Sequence, residues 1–99
     1  MSASMEKSTT RSPGQDDIEA RFSEEDLSPH TWGNGPGYEY EWHTHGYHKV
    51  LYCVSGSIVF HTDEGDFALR PGDRLDVEAG TGHSATVGQD GVQCMEAAR

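Results

Sequence analysis

From Pro36 onward the sequence is a series of short β-type runs, "YEYEWHTH", "KVLYCV", "SIVFHT", "GDFALR", "DRLDVEA", "HSATVG" and "VQCMEA", broken by turn-forming residues. The pairs Ser55-Gly56, Glu64-Gly65, Pro71-Gly72 and Asp90-Gly91 recur at the spacing of a compact sandwich or barrel. No sustained helical period follows Pro36, so the expected fold is all-β, with closure into a barrel favoured because it removes exposed strand edges. A chain of 99 residues is the size of one domain with a modest core. The pattern divides it into a barrel domain over residues 28–99 and a polar, acidic tail over residues 1–27. That tail has too few apolar residues to bury much and is expected to be largely disordered or partly helical. Its one amphipathic stretch, "DDIEARFSEEDL", places Ile18, Phe22 and Leu27 on a stripe behind a cap at Asp16 or Asp17.

The charge balance narrows the partners. Seven basic against seventeen acidic side chains give a formal charge of -10, which repels phosphate backbones and anionic membrane surfaces, and the basic residues are scattered. Neither nucleic acid nor a membrane is an expected partner. The N-terminal residues lack the apolar core of a signal peptide, and the longest apolar run, Val50 to Val54, is too short to cross a bilayer. The expected location is therefore cytoplasmic, where the two cysteines, Cys53 and Cys94, are free thiols serving as small buried hydrophobes.

Half of the six histidines fall in "WHTHGYHK", residues 42–49. Side chains two apart on a strand share a face, so His43 and His45 point the same way. Extended forward, that parity takes in Lys49, Leu51 and Cys53; extended backward, it takes in Glu41 and Glu39. Tyr38, Tyr40 and Trp42 then form an outward aromatic row, more comfortable against a second subunit than in water, and a homodimer through that strand is expected. His48 has the opposite parity; it is either a surface or interface residue or, with a bulge at Gly46, a fourth inward nitrogen. His83 opens a later strand and is the natural third ligand, arriving from across the barrel. His30 and His61 are expected at the surface.

Gly37 to Gly56 reads G-x5-H-x-H-x3-K-x6-G and resembles the first motif of the cupin superfamily, with Gly37, His43, His45 and Gly56 in register. Lys49 stands where that family carries a glutamate ligand. Gly72 to Val87 is similar to the second motif, with Gly72, Gly80 and His83 in register, while Glu78 and Val87 replace its proline and asparagine. The resemblance implies a six- to eight-stranded jelly-roll-like barrel, usually dimeric, with its site inside, and implies His43, His45 and His83 as metal ligands. Three neutral imidazoles suit a divalent transition metal, Fe, Zn, Ni, Mn or Cu, and leave positions open for substrate. An ammonium at position 49 must lose its proton, swing outward or pair with an anion. Paired with a substrate anion, Lys49 would orient it and stabilise its charge, with Glu41 as partner carboxylate or general base.

Two functions follow. One is a small metal-dependent enzyme acting on an anionic or oxygen-rich small molecule. Dioxygenase chemistry leads, because three-histidine centres without the glutamate resemble those of cupin-like dioxygenases, and isomerase or lyase chemistry stands beside it. The other is a ligand- or metal-binding cupin without turnover, a sensor or storage module.

Overall fold

Two long antiparallel strands organise the chain. The computed structural model describes residues 2–9 and 13–99. Its elements are β1 (Ala3–Glu6), α1 (Gln15–Glu24), β2 (His30–Asn34), β3 (Glu39–His43), β4 (Lys49–Thr62), β5 (Gly65–Leu69), β6 (Arg74–Val77) and β7 (His83–Ala98). β4 and β7 pair along nearly their whole lengths, from Lys49↔Ala98 to Thr62↔His83. Each absorbs two of the runs read separately in the sequence, "KVLYCV" with "SIVFHT" and "HSATVG" with "VQCMEA". The joins are bulges: the register shifts between Cys53 and Ser55 and again between Gly56 and Ile58, which bends the ribbon. Gly56 lies at φ 73° with its Cα against the opposite backbone, and a Cβ there would meet the Gly91 carbonyl oxygen at 2.0 Å. Only glycine fits that crossing.

Around this ribbon the sheet runs in the order β1-β6-β4-β7-β2, with β3 also on β7 and β5 also on β4, all antiparallel. The all-β, jelly-roll-like expectation holds, but the described strands do not close into a full hydrogen-bonded ring. β1 and β2 end the strand path instead.

The first half of β4 is buried on both faces, and strand alternation separates the two layers. Leu51 and Cys53 point into the main core with Ile58, Phe60, Leu69 and Leu75. Val50 and Tyr52 point the other way, where Met95, Ala97 and the two buried side chains of α1, Ile18 and Phe22, cover them. Residues within the expected tail are thus part of the packed structure. β1 pairs with β6 from Ala3↔Val77 to Glu6↔Arg74. α1 starts at Gly14, whose N–H donates to the Asp17 carboxylate at 3.2 Å, so the helix begins with Asp17 reaching back. It stops where Asp26 turns to φ 58° and the Leu27 N–H donates to the Phe22 carbonyl at 2.9 Å, a Schellman-type end. Arg74 ties the helix to the sheet by bridging Glu25 and Asp76, and its guanidinium lies 5.7 Å from the centre of the Tyr52 ring. Phe22 meets the same ring edge-on at 5.2 Å.

Cys53 and Cys94 are register partners on β4 and β7, both buried and free. The Cys53 thiol donates to the Ser55 carbonyl at 3.6 Å, and its proximity together with burial holds the Cys94 thiol above its usual range. No helix among the described residues is long and apolar enough to cross a membrane.

Truncating the helix anchor, Phe22→Ala, removes a fully buried ring and is expected to cost about 3–5 kcal/mol. Urea denaturation measures it, and a loss under about 1 kcal/mol would mean that α1 contributes little to the fold.

Candidate metal centre

The site is assembled at the junction of β3 and β7. His43 and His83 are direct register partners, so His83 reaches the cluster from the neighbouring strand rather than from across the interior. His45 lies two residues beyond β3, in a loop pinned to the turn before His83 by the Gly80 N–H, which donates to the His45 carbonyl at 2.8 Å. One nitrogen from each of the three rings falls within 4.8 Å of the others.

Hydrogen bonding decides which nitrogens face inward. His83 Nδ1 lies 2.9 Å from the Thr81 carbonyl and His43 Nδ1 lies 2.6 Å from the Glu41 carbonyl. A carbonyl only accepts, so both rings carry their proton on Nδ1 and turn an Nε2 lone pair toward the cluster. His83 Nε2 is buried with no hydrogen-bond partner, an arrangement that costs free energy unless another group takes the lone pair. The His43 and His45 Nε2 atoms are 3.1 Å apart. Two nitrogens each about 2.1 Å from one ion, at angles between square and tetrahedral, lie about 3.0–3.4 Å apart. The His43–His45 pair has that spacing, and the donor set, three imidazoles with one buried unpartnered nitrogen, suits a small divalent transition metal, which His43, His45 and His83 would hold. The backbone carbonyls behind His43 and His83 fix tautomer and ring orientation, as the outer shell of a metal site does.

A cavity of about 300 Å³ opens beside the cluster, and both His43 and His45 line it. Its apolar wall is Trp32, Tyr40, Phe60 and Ala85, and its charged groups are Lys49 and Glu96. Lys49 and Glu96 are both buried and pair at 3.5 Å. Trp32 Nε1–H donates to the same Glu96 oxygen at 2.9 Å. Of the three fates open to a lysine at this position, pairing with an anion is the one adopted, and the anion belongs to the protein.

The inward parity of His43, His45, Lys49, Leu51 and Cys53 holds, whereas its backward extension does not. On β3, Tyr40 is opposite Ala85 and His43 is opposite His83, so three steps on one strand match two on the other. This bulge turns both Tyr40 and His43 toward the cavity and leaves Glu39 and Glu41 exposed. Glu41, expected as a partner carboxylate or base, contributes only its carbonyl, to His43. Tyr40, expected outside with Tyr38 and Trp42, is a wall of the cavity, with its hydroxyl accepting from the Asn34 amide. Burial raises its pKa. His48 stays outside the cluster, 2.9 Å from Asp76. His61 sits between Asp66 and Thr86, apart from the cavity. His30 is exposed but also lines the cavity.

Glu96 and Trp32 are the residues that sequence reasoning missed. Glu96 was within reach, since it is two residues beyond Cys94 and so shares its face. Trp32 had no signal, because β2 lies in a stretch with no alternating pattern.

Residues 30–95 match the family model described as Cupin domain, and the chain belongs to that family. No curated protein matches. Among solved structures, the chain is similar to a cupin-2 domain protein from Shewanella frigidimarina at 16% identity and TM-score 0.62, covering 73% of this chain and 69% of that one. It is similar at 19% identity and TM-score 0.68 to the DMSP lyase DddQ from Ruegeria pomeroyi, covering 74% of this chain and 38% of that one. It shares 30% identity at TM-score 0.63 with a structure of the DMSP lyases RdDddP and RnDddQII, again covering 74% of this chain but 37% of that one. This chain thus spans little more than a third of the lyase chains it matches.

In the metal-free protein, burial lowers His83 to a pKa of about 4 from 6.5, with Lys49, His43 and His45 adding to the shift against the opposing hydrogen bond to Thr81. Between those values the unfolded chain takes up a proton that the folded chain refuses. The contribution is complete above pH 6.5 and is lost as pH falls toward 4, by up to about 3 kcal/mol. Urea denaturation of chelator-treated protein at pH 7.5 and 4.5 should show this slope in the wild type and a flatter one in His83→Gln. Equal slopes would mean that His83 takes up its proton alike in the folded and unfolded states.

Proposed function

We propose that this chain is a small metal-dependent enzyme whose three-histidine centre, His43, His45 and His83, works on a small anionic or oxygen-rich molecule held in the adjoining cavity. The observation that carries this reading is the buried, unpartnered His83 Nε2, aimed at a cluster whose His43 partner is locked in the same tautomer. A metal bound there supplies Lewis acidity or, for a redox-active ion, oxygen activation.

The chain's own residues divide the remaining work. Lys49 presents a buried ammonium to the cavity and orients a carboxylate or enolate oxygen. Trp32, Phe60 and Ala85 give the cavity apolar walls, which lower the local dielectric and strengthen those charged contacts. Glu96 replaces Glu41 as the carboxylate present in the cavity. The volume of about 300 Å³ suits a molecule of metabolite size.

Two reaction types remain within this reading. The absence of the glutamate ligand favours dioxygenase-like chemistry, and the 30% identity to a DMSP lyase structure favours elimination. Oxygen consumption on carboxylate or diketone substrates, and elimination from DMSP, separate the two, and each must disappear with chelator. The alternative is a binding module without turnover, in which ligands stabilise the protein thermally and nothing is converted.

The first measurement is elemental analysis. Wild type should hold about one transition-metal ion per chain and His43→Ala/His83→Ala none. A wild type devoid of metal even after reconstitution would transfer the reading to the binding module.

We further propose a homodimer through the β3 edge of the sheet. Tyr38, just before the strand, and Trp42 on it are both exposed, and the Trp42 indole sits against Gly82, beside His83. Sedimentation should give a dimer that Tyr38→Glu/Trp42→Glu dissociates; a monomeric wild type at micromolar concentration refutes it.

A further inference from the structure

Position 49 brings a cation into a cavity built for another cation. Lys49 and two of the three histidines line the same cavity. At an effective interior dielectric of about 20, an ammonium and a dication sharing so small a space repel enough to weaken metal binding more than tenfold unless an anion offsets them.

Glu96 is placed to be that anion. It is buried, lines the same cavity and pairs with Lys49 at 3.5 Å. Its position is set twice over. The register opposes Glu96 to Leu51, two residues along β4 from Lys49 on the same face, so the carboxylate and the ammonium meet on the diagonal of one antiparallel pair. The Trp32 indole N–H then holds the very oxygen that pairs with Lys49, which leaves Lys49 a fixed partner on the β7 side. No other carboxylate lines the cavity among the described residues.

We propose that Lys49 and Glu96 act as one positioning unit. Glu96 supplies from β7 the negative charge that the family's first motif supplies at position 49, and holds the Lys49 ammonium away from the three histidines so that they can bind a dication. The proposal rests on the metal-centre reading above. It gives Glu96 a role defined through Lys49, distinct from that of a ligand or a base.

The test is a double-mutant cycle read as zinc affinity, by competition with a chromophoric chelator at fixed pH and salt, with circular dichroism checking that each variant is folded. Glu96→Gln should weaken zinc binding about tenfold or more, Lys49→Met should strengthen it, and Lys49→Met/Glu96→Gln should return to within about threefold of wild type. Recovery in the double variant is what a merely structural glutamate would not give. A double variant as weak as Glu96→Gln, or a Glu96→Gln within about threefold of wild type, overturns the proposal. If Glu96→Gln does not fold, Lys49→Met alone decides: tighter zinc binding supports the pair and unchanged binding overturns it. A wild type that binds no zinc defeats the metal reading itself and the proposal with it, whereas a normal wild type with an unresponsive Glu96→Gln defeats only the role of Glu96.

Discussion

The pairing of β4 with β7 is the interaction on which the rest of the molecule depends. It sets Cys53 against Cys94 inside the core and puts Leu51 opposite Glu96. At its far end it brings Thr62 beside His83, which in turn faces His43 on β3. The ribbon can bend enough to enclose a cavity because Gly56 crosses the backbone at Gly91 with no Cβ in the way. A side chain at Gly56 would strike backbone, which cannot rotate aside as a flexible side chain can. Core, cavity and histidine cluster are therefore consequences of one register.

Within that frame the site is an exercise in controlling charge. Backbone carbonyls keep the protons of His43 and His83 on the outer nitrogens, so the inward face of the cluster is made of lone pairs. Burial keeps His83 neutral well below the usual range for a histidine. The only full charges on the cavity wall among the described residues, Lys49 and Glu96, are opposite and in contact. The imidazole lone pairs thus sit beside a paired rather than an isolated charge.

Much of this was legible in the sequence, for identifiable reasons. Strand parity needs only a period of two, so Lys49, Leu51 and Cys53 were read onto one face of β4, while His43, His45 and Lys49 do line one cavity although a loop, residues 44–48, separates β3 from β4. Motif spacing carried His83 and Gly56. The same rule failed at Glu41 and Tyr40, because the bulge between Tyr40 and His43 inserts one residue and inverts everything before it. Nothing in "YEYEWH" marks that bulge; it exists because β7 offers two steps where β3 has three. The helix within the tail was legible, but not what it packs against. Ile18 and Phe22 were readable as a stripe, but that Val50, Tyr52, Met95 and Ala97 would present a second apolar face to receive them depends on both sides of β4 and β7 being covered.

The sequence by itself determined the family, the strand-rich architecture, the three histidines and the anomaly at Lys49, because these follow from residue identity, local spacing and the alternation of a strand. Tertiary structure alone decided what neutralises Lys49, where His83 enters and which way Tyr40 turns. Those outcomes depend on inter-strand register, which pairs residues as distant in sequence as Lys49 and Glu96, and register is set by packing and bulges across the whole sheet rather than by any one segment.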